Sequence, residues 1–219
     1  LRRAGMSHTR SIPTRGSPGY ARGRAFTPLP HDHELPYCCQ MNLAQFDNEM
    51  QELLRIPEFE RIDASWNGVQ VSCSEKEIAK VAVAVDAAAE TIARAAEWGA
   101  DILFVHHGLF WARGERVTGV HYRRLAALLN ANIALYAVHL PLDAHPQLGN
   151  NAEMARALGL GDVRPFGDYK GITIGVAGEL PQPLSTEEVA RKLFGTTEDL
   201  LGVLPFGKAA NARVGIISG

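Results

Sequence analysis

The run KVAVAVDAAAETIARAAEWGADILFVHH, residues 80–107, constrains the fold more than any other part of this chain. Val81, Val83 and Val85 alternate with small residues and close on Asp86, the pattern of a buried strand. The Ala- and Glu-rich residues 87–98 read as a helix, with Gly99 placed to cap it in the left-handed conformation. Residues 101–105 read as the next strand. Strand, helix and strand at this spacing form a βαβ unit, which predicts parallel strands and a right-handed crossover. A further helix, HYRRLAALLN (121–130), and strand, NIALYAVH (132–139), repeat the pattern. The class is α/β, built on a parallel sheet.

The flanking segments are read in the same way. Leu43, Phe46, Met50, Leu53 and Leu54 share one face of a helix over residues 43–54. DASWNGVQV (63–71) is a turn at Asn67-Gly68 leading into a short strand. The loop LPLDAHPQLGNN feeds a helix, NAEMARALGL, and GITIGVAGEL is expected to be a strand pair or hairpin. STEEVARKLFG carries a capping box from Ser185 to Glu188 and a C-terminal Gly195. RVGIISG (213–219) has the small apolar character of residues 80–85, which suggests that the α/β unit begins again there and is cut part-way through.

Residues 1–40 differ in kind. They are rich in Arg, Pro and Gly and show no apolar periodicity before Met41. We expect a disordered leader, upstream of a true start at Met41 or acting as an organelle transit peptide, and an α/β domain over 41–219. His31, His33, Cys38 and Cys39 within the leader are a weak candidate for a metal cluster. Six of the 22 basic residues and none of the 24 acidic ones fall within residues 1–31, so the remainder carries a formal charge of −8. That balance argues against nucleic acid as a partner, because phosphate contacts need a basic face. No apolar run is long enough for a membrane span, which points away from the membrane, and three cysteines at 38, 39 and 73 form no disulfide framework. The expectation is a cytoplasmic protein.

Chemistry concentrates where the strands end. His106 and His107 lie at the carboxyl end of one predicted strand; His139 and Asp143 lie at and just beyond the end of the next. Open parallel sheets place ligands beyond the carboxyl ends of their strands, so two junctions deliver imidazoles and a carboxylate to one edge. Adjacent histidines on extended backbone point to opposite sides, which predicts that each holds a different ion of a pair bridged by a carboxylate. His106 and His107 are candidates for metal ligation, Asp143 is a candidate for the shared carboxylate, and His139 for a catalytic role as orienter or proton shuttle. The bland alternatives are histidines that cap a sheet and an aspartate that caps a turn. His121 and His145 are expected at the surface, and Phe104, Phe110 and Trp111 in packing.

Taken together, WNGVQV, the 81–111 block, NIALYAVHLPLDAHPQLGNN and RVGIISG resemble the Nif-three-like dinuclear metal-centre family, also called type 2 GTP cyclohydrolase I-like, from about Leu43 to Gly219. The resemblance implies two related α/β halves, a toroidal homo-hexamer and a pair of ions in each subunit. It maps His106, His107 and Asp143 onto family ligands; the remaining His and Glu ligands belong to a segment beyond Gly219. A cysteine-free His/carboxylate set suits two divalent transition-metal ions, Fe, Mn, Co or Zn. The implied function is a metal-dependent hydrolase acting on a small-molecule or nucleotide-like substrate. The rival is a metal-binding hexamer without catalysis that serves as a scaffold.

Overall fold

The computed structural model describes residues 41–218 other than Asp199 and Pro205. The leader, with His31, His33, Cys38 and Cys39, lies outside them. Helix α1 (Leu43–Leu53) starts at Asn42, whose side chain accepts from Gln45 N while the Gln45 side chain accepts from Asn42 N. A 3-10 turn (Ile56–Phe59) follows, and then strand β1 (Gly68–Val71). Strand β2 (Val81–Asp86), helix α2 (Ala89–Trp98), strand β3 (Ile102–His107), helix α3 (Gly119–Ala131) and strand β4 (Ala134–Ala137) complete the first sheet. Its order is β1-β4-β3-β2. β2, β3 and β4 run parallel, as the sequence pattern requires, and β1 pairs antiparallel with β4.

Two apolar layers sandwich this sheet. One side packs Leu103, Val105, Leu135 and Ala137 against Ile92 and Ala95 of α2 and Leu128 of α3. The other packs Ile102, Ala134 and Tyr136 against Phe46 of α1. Each fully buried Leu or Ile contributes about 1.5–3 kcal/mol by leaving water. The second layer reaches only Val81, at the start of β2. Val83 and Val85, expected to be buried, are 70% and 61% exposed. Alternation read correctly as a strand, but β2 is the edge of its sheet among the described residues, and only Ala82 is fully covered. Leu53 also turns outward, since α1 ends there and the chain reverses at Arg55 with φ 53°.

A short helix α4 (Leu140–Ala144) and helix α5 (Asn150–Leu158) lead into a second sheet of order β5-β6-β7. Strand β5 (Gly161–Tyr169) and strand β6 (Ile172–Leu184) form a hairpin around Lys170 and Gly171, both at positive φ as a two-residue turn of type I′ demands. The hairpin expected within GITIGVAGEL is instead one strand. Its partner β5, with Pro165 and little burial, carries no apolar alternation to announce it. Helix α6 (Thr186–Phe194) has its Ser185/Glu188 capping box and Gly195 cap as read.

Strand β7 (Asn211–Ile216) pairs antiparallel with β6, Val176 opposite Ile216. A short apolar strand carries no mark of its partner's direction. Beneath this sheet Ala155, Leu158, Leu180 and Ile216 form a separate core, and Phe59, Leu140 and Ile174 tie the 3-10 turn, α4 and β6 together. No helix among the described residues is long and apolar enough to cross a membrane.

Candidate metal centre

Because β3 and β4 are parallel neighbours with Val105 opposite Ala137, their carboxyl ends open at the same edge. His106 and His107 leave there from β3, and His139 from just beyond β4. One ligand atom from each of the three lies within 4.8 Å of the others, a grouping that could hold a metal ion. The ring centroids of His106 and His107 are 4.5 Å apart, and that of His139 is 5.0 Å and 5.7 Å from them. The expectation that adjacent histidines diverge is corrected. The two rings are anchored on opposite sides through Nδ1 and tilt together beyond the strand. Nδ1 of His106 lies 3.0 Å from the Val138 carbonyl, beside β4, and Nδ1 of His107 lies 2.8 Å from Asp86, on β2. Nδ1 of His139 is 2.9 Å from Asp63. These partners are acceptors, so a neutral imidazole at each position places its proton on Nδ1 and its lone pair on Nε2.

Asp143 stands beside them, 1% exposed, in α4. Its Oδ1 accepts from Asn150 Nδ2 at 2.8 Å and from Ser218 Oγ at 2.5 Å. Its Oδ2 is buried, has no hydrogen-bond partner, and lies 3.5 Å from Nε2 of His106. The backbone around it is fixed by Asn151, wholly buried. Its amide donates to the Asp143 and Ile174 carbonyls and accepts from Ser218 N. The turn between α4 and α5 is tight enough that a Cβ on Gly149 would meet the His145 and Leu142 carbonyls at 2.4 and 2.5 Å. An ionised carboxylate oxygen facing imidazole lone pairs without a donor is costly in a buried place, and a cation relieves the cost. Nitrogen and carboxylate donors without sulfur fit a divalent transition-metal ion.

The electrostatics separate the imidazoles. Burial holds the pKa of His106 below the ordinary imidazole value, outweighing Asp143 and the Val138 carbonyl. Burial acts the same way on His139, but the hydrogen bond and charge of Asp63, with Asp143 beyond, outweigh it and raise its pKa. Asp63, desolvated yet held by His139, Asn67 and Ser65 N, ends below the usual carboxylate range.

The 63–70 segment supplies residues that the sequence reading missed. Asp63 and Asn67 hold His139, whose backbone N–H donates to Asn67 Oδ1 at 2.7 Å. Gln70 clips the loop leaving β3: its Oε1 accepts from Leu109 N and Phe110 N, and its Nε2 donates to the Trp66 and Phe110 carbonyls. The clip sets Trp111 edge-on against His139, ring centroids 5.0 Å apart. The dense turn formers of DASWNG were the one visible signal, and they say nothing of an imidazole 76 positions later. Phe104 and Phe110 pack as expected, on Tyr136 and Trp66. His121 does not lie at the surface. It is 8% exposed on the inner side of α3, edge-on to Phe110. His145 is half-buried, its Nδ1 accepting from Gln147 N and Leu148 N.

Known proteins share this arrangement of chain. A Deinococcus radiodurans protein named GTP cyclohydrolase 1 type 2 homolog is 46% identical over 168 residues, 77% of this chain and 63% of that protein. A Halobacterium salinarum protein of the same name is 42% identical, covering 82% of this chain and 71% of its own length. This chain thus spans under two thirds of the Deinococcus relative. Among solved structures, Thermus thermophilus TTHA1606 superposes with a TM-score of 0.63 at 38% identity, over 71% of this chain and 62% of that one. Protein ybgI, described as of unknown function, gives 0.68 at 32% identity, over 80% and 68%. The Duf34/NIF3 (NGG1p interacting factor 3) pattern matches residues 41–219 throughout, and the chain belongs to that family.

Proposed function

We propose that this chain forms part of a metal-dependent hydrolase of the type 2 GTP cyclohydrolase I kind, acting on a small or nucleotide-like molecule. His106, His107 and Asp143 would serve as ligands in a centre for two divalent transition-metal ions. The observation that carries this reading is Asp143 Oδ2, buried and without a partner, beside imidazoles whose Nε2 atoms are free. When bound, ions of this class supply Lewis acidity and lower the pKa of water from ~15.7 towards neutrality. The chain's own part is to hold the donors in place. Asn150 and Ser218 fix one oxygen of Asp143 so that the other faces the imidazoles, and Trp111 walls the site on the His139 side. The names of the relatives support the substrate class. A homo-hexameric state and a cytoplasmic location belong to the same proposal, on family grounds.

The test is elemental analysis of protein purified without chelator, beside the His106→Ala/His107→Ala double variant. We expect about two transition-metal ions per chain in the wild type and a loss in the variant, followed by metal-dependent turnover in a panel of nucleotides, phosphoesters and amides. Wild-type protein that stays empty in Fe²⁺, Mn²⁺, Co²⁺ and Zn²⁺ would sink the metal reading. Metal uptake without turnover would leave binding alone.

A further inference from the structure

We propose that Asp63 is a positioning residue of the centre: its carboxylate fixes the ring of His139 so that Nε2 faces His106 and His107, making His139 a third nitrogen donor to an ion held there. The inference rests on the metal-binding reading above.

The Asp63 side chain is 1% exposed, and each oxygen accepts two hydrogen bonds. Oδ1 takes His139 Nδ1 at 2.9 Å and Ser65 N at 3.0 Å; Oδ2 takes Asn67 Nδ2 at 2.8 Å and Leu140 N at 2.9 Å. A carboxylate meeting four donors has no proton to give, so the shared proton belongs to Nδ1 of His139 and the lone pair to Nε2. Nε2 is then the atom that the ring can offer to the His106/His107 pair, whose own Nδ1 atoms are also engaged. The three anchors are unequal. The partner of His106 is a neutral carbonyl, and Asp86, the partner of His107, has a side chain 64% exposed and competes with water. Asp63 alone of the three is both charged and buried, the setting in which a hydrogen bond holds tautomer and orientation most firmly.

A purely structural role is the alternative, because Asp63 also staples the 63–67 turn to the start of α4. Two variants separate the roles. Asp63→Asn replaces one acceptor oxygen by an NH₂ group, and His139 regains acceptable hydrogen bonding by moving its proton to Nε2. Asn67→Ala removes bonds from the same carboxylate and from the backbone of His139, while leaving the imidazole contact.

The experiment is nitrogen-15 NMR of histidine rings in the metal-free full chain, above the pH at which His139 is charged, together with zinc binding by dialysis and elemental analysis. In the wild type, His139 is expected as the Nδ1–H tautomer. In Asp63→Asn it shifts to Nε2–H, and zinc affinity falls about 10–100-fold. In Asn67→Ala thermal stability falls and the tautomer stays Nδ1–H, so zinc affinity falls less than in Asp63→Asn. An Nε2–H tautomer in the wild type overturns the inference, and this reading needs no variant to fold. Equal loss of zinc affinity in both variants, or none in Asp63→Asn, also overturns it while leaving the metal reading standing. Wild type that takes up no zinc, manganese or cobalt overturns the metal reading and the donor role together. The tautomer then still reports whether Asp63 sets the ring.

Discussion

Oδ2 of Asp143 faces Nε2 of His106 across 3.5 Å with no hydrogen bond to either side, while Oδ1 of the same carboxylate is held by Asn150 and Ser218. The contact sets two acceptors against each other in a place only 1% exposed on the Asp143 side. Such a pair is unfavourable by itself and favourable around a cation. Binding and folding therefore make opposite demands on this residue.

Asp143→Asn tests that opposition. The amide oxygen can keep Asn150 and Ser218, and its NH₂ group can donate to His106 Nε2. In metal-free buffer the variant is expected to unfold at a higher temperature than wild type, by on the order of 1 kcal/mol in stability. Its uptake of zinc or manganese is expected to be lost. Thermal unfolding with and without added ion reads both; a variant less stable than wild type in the metal-free state would count against the proposed strain.

Asp101 offers a pH-dependent prediction away from the site. Its Oδ2 accepts from Ala79 N and Lys80 N, and its Oδ1 pairs with Lys76 at 2.8 Å, tying the entry of β2 to the entry of β3. Burial works against the carboxylate, but Lys76 and the two N–H groups outweigh it and hold its pKa below 3.8. A depressed folded pKa means that the unfolded chain binds the proton more readily as pH falls. The stabilisation is therefore full above about pH 4 and lost on descending through the folded value. Asp101→Asn is expected to cost on the order of 1 kcal/mol at neutral pH, with the gap closing in acid. A gap independent of pH in denaturant titrations would contradict this.

The two faces of the first sheet should respond unequally to mutation. Val85 is 61% exposed on the edge strand, whereas Leu103 is 1% exposed at the centre. Val85→Thr is expected to change stability by less than about 0.5 kcal/mol and Leu103→Ala to cost about 2–5 kcal/mol, measured by urea unfolding. A costly Val85→Thr would mean that something covers β2 in solution.

The same residues mark the limit of what the sequence could disclose. Periodicity identified β2, α2, β3, α3 and β4 because each carries its own local signal: alternation, a capping glycine, a 3.6-residue stripe. Placement within a sheet has no such signal, so Val83 and Val85 read as buried. At the site, the meeting of His106, His107 and His139, with Asp143 beside His106, followed from the rule that parallel strands open at their carboxyl ends. The supporting groups did not. Asp63 to His139, Gln70 to Leu109 and Ser218 to Asp143 join positions 39 to 76 apart through side chains that, in one dimension, resemble ordinary turn and surface residues.

Gly108 and Gln70 provide the last prediction. A Cβ at Gly108 would lie 2.3 Å from Gln70 Oε1 and 2.5 Å from its Nε2, so the amide must move. Moving it releases Leu109 N and Phe110 N and the carbonyls of Trp66 and Phe110, and with them the position of Trp111 beside His139. Gly108→Ala is expected to destabilise the protein by about 2 kcal/mol through the bonds it breaks. Gln70→Ala should cost a similar amount by the same route. If the collision is the cause, the double variant costs little more than Gln70→Ala alone, because with the amide gone the added methyl group has nothing to strike. Denaturant unfolding of the four proteins gives the coupling directly, and strict additivity would show that Gly108 is required for something other than room for Gln70.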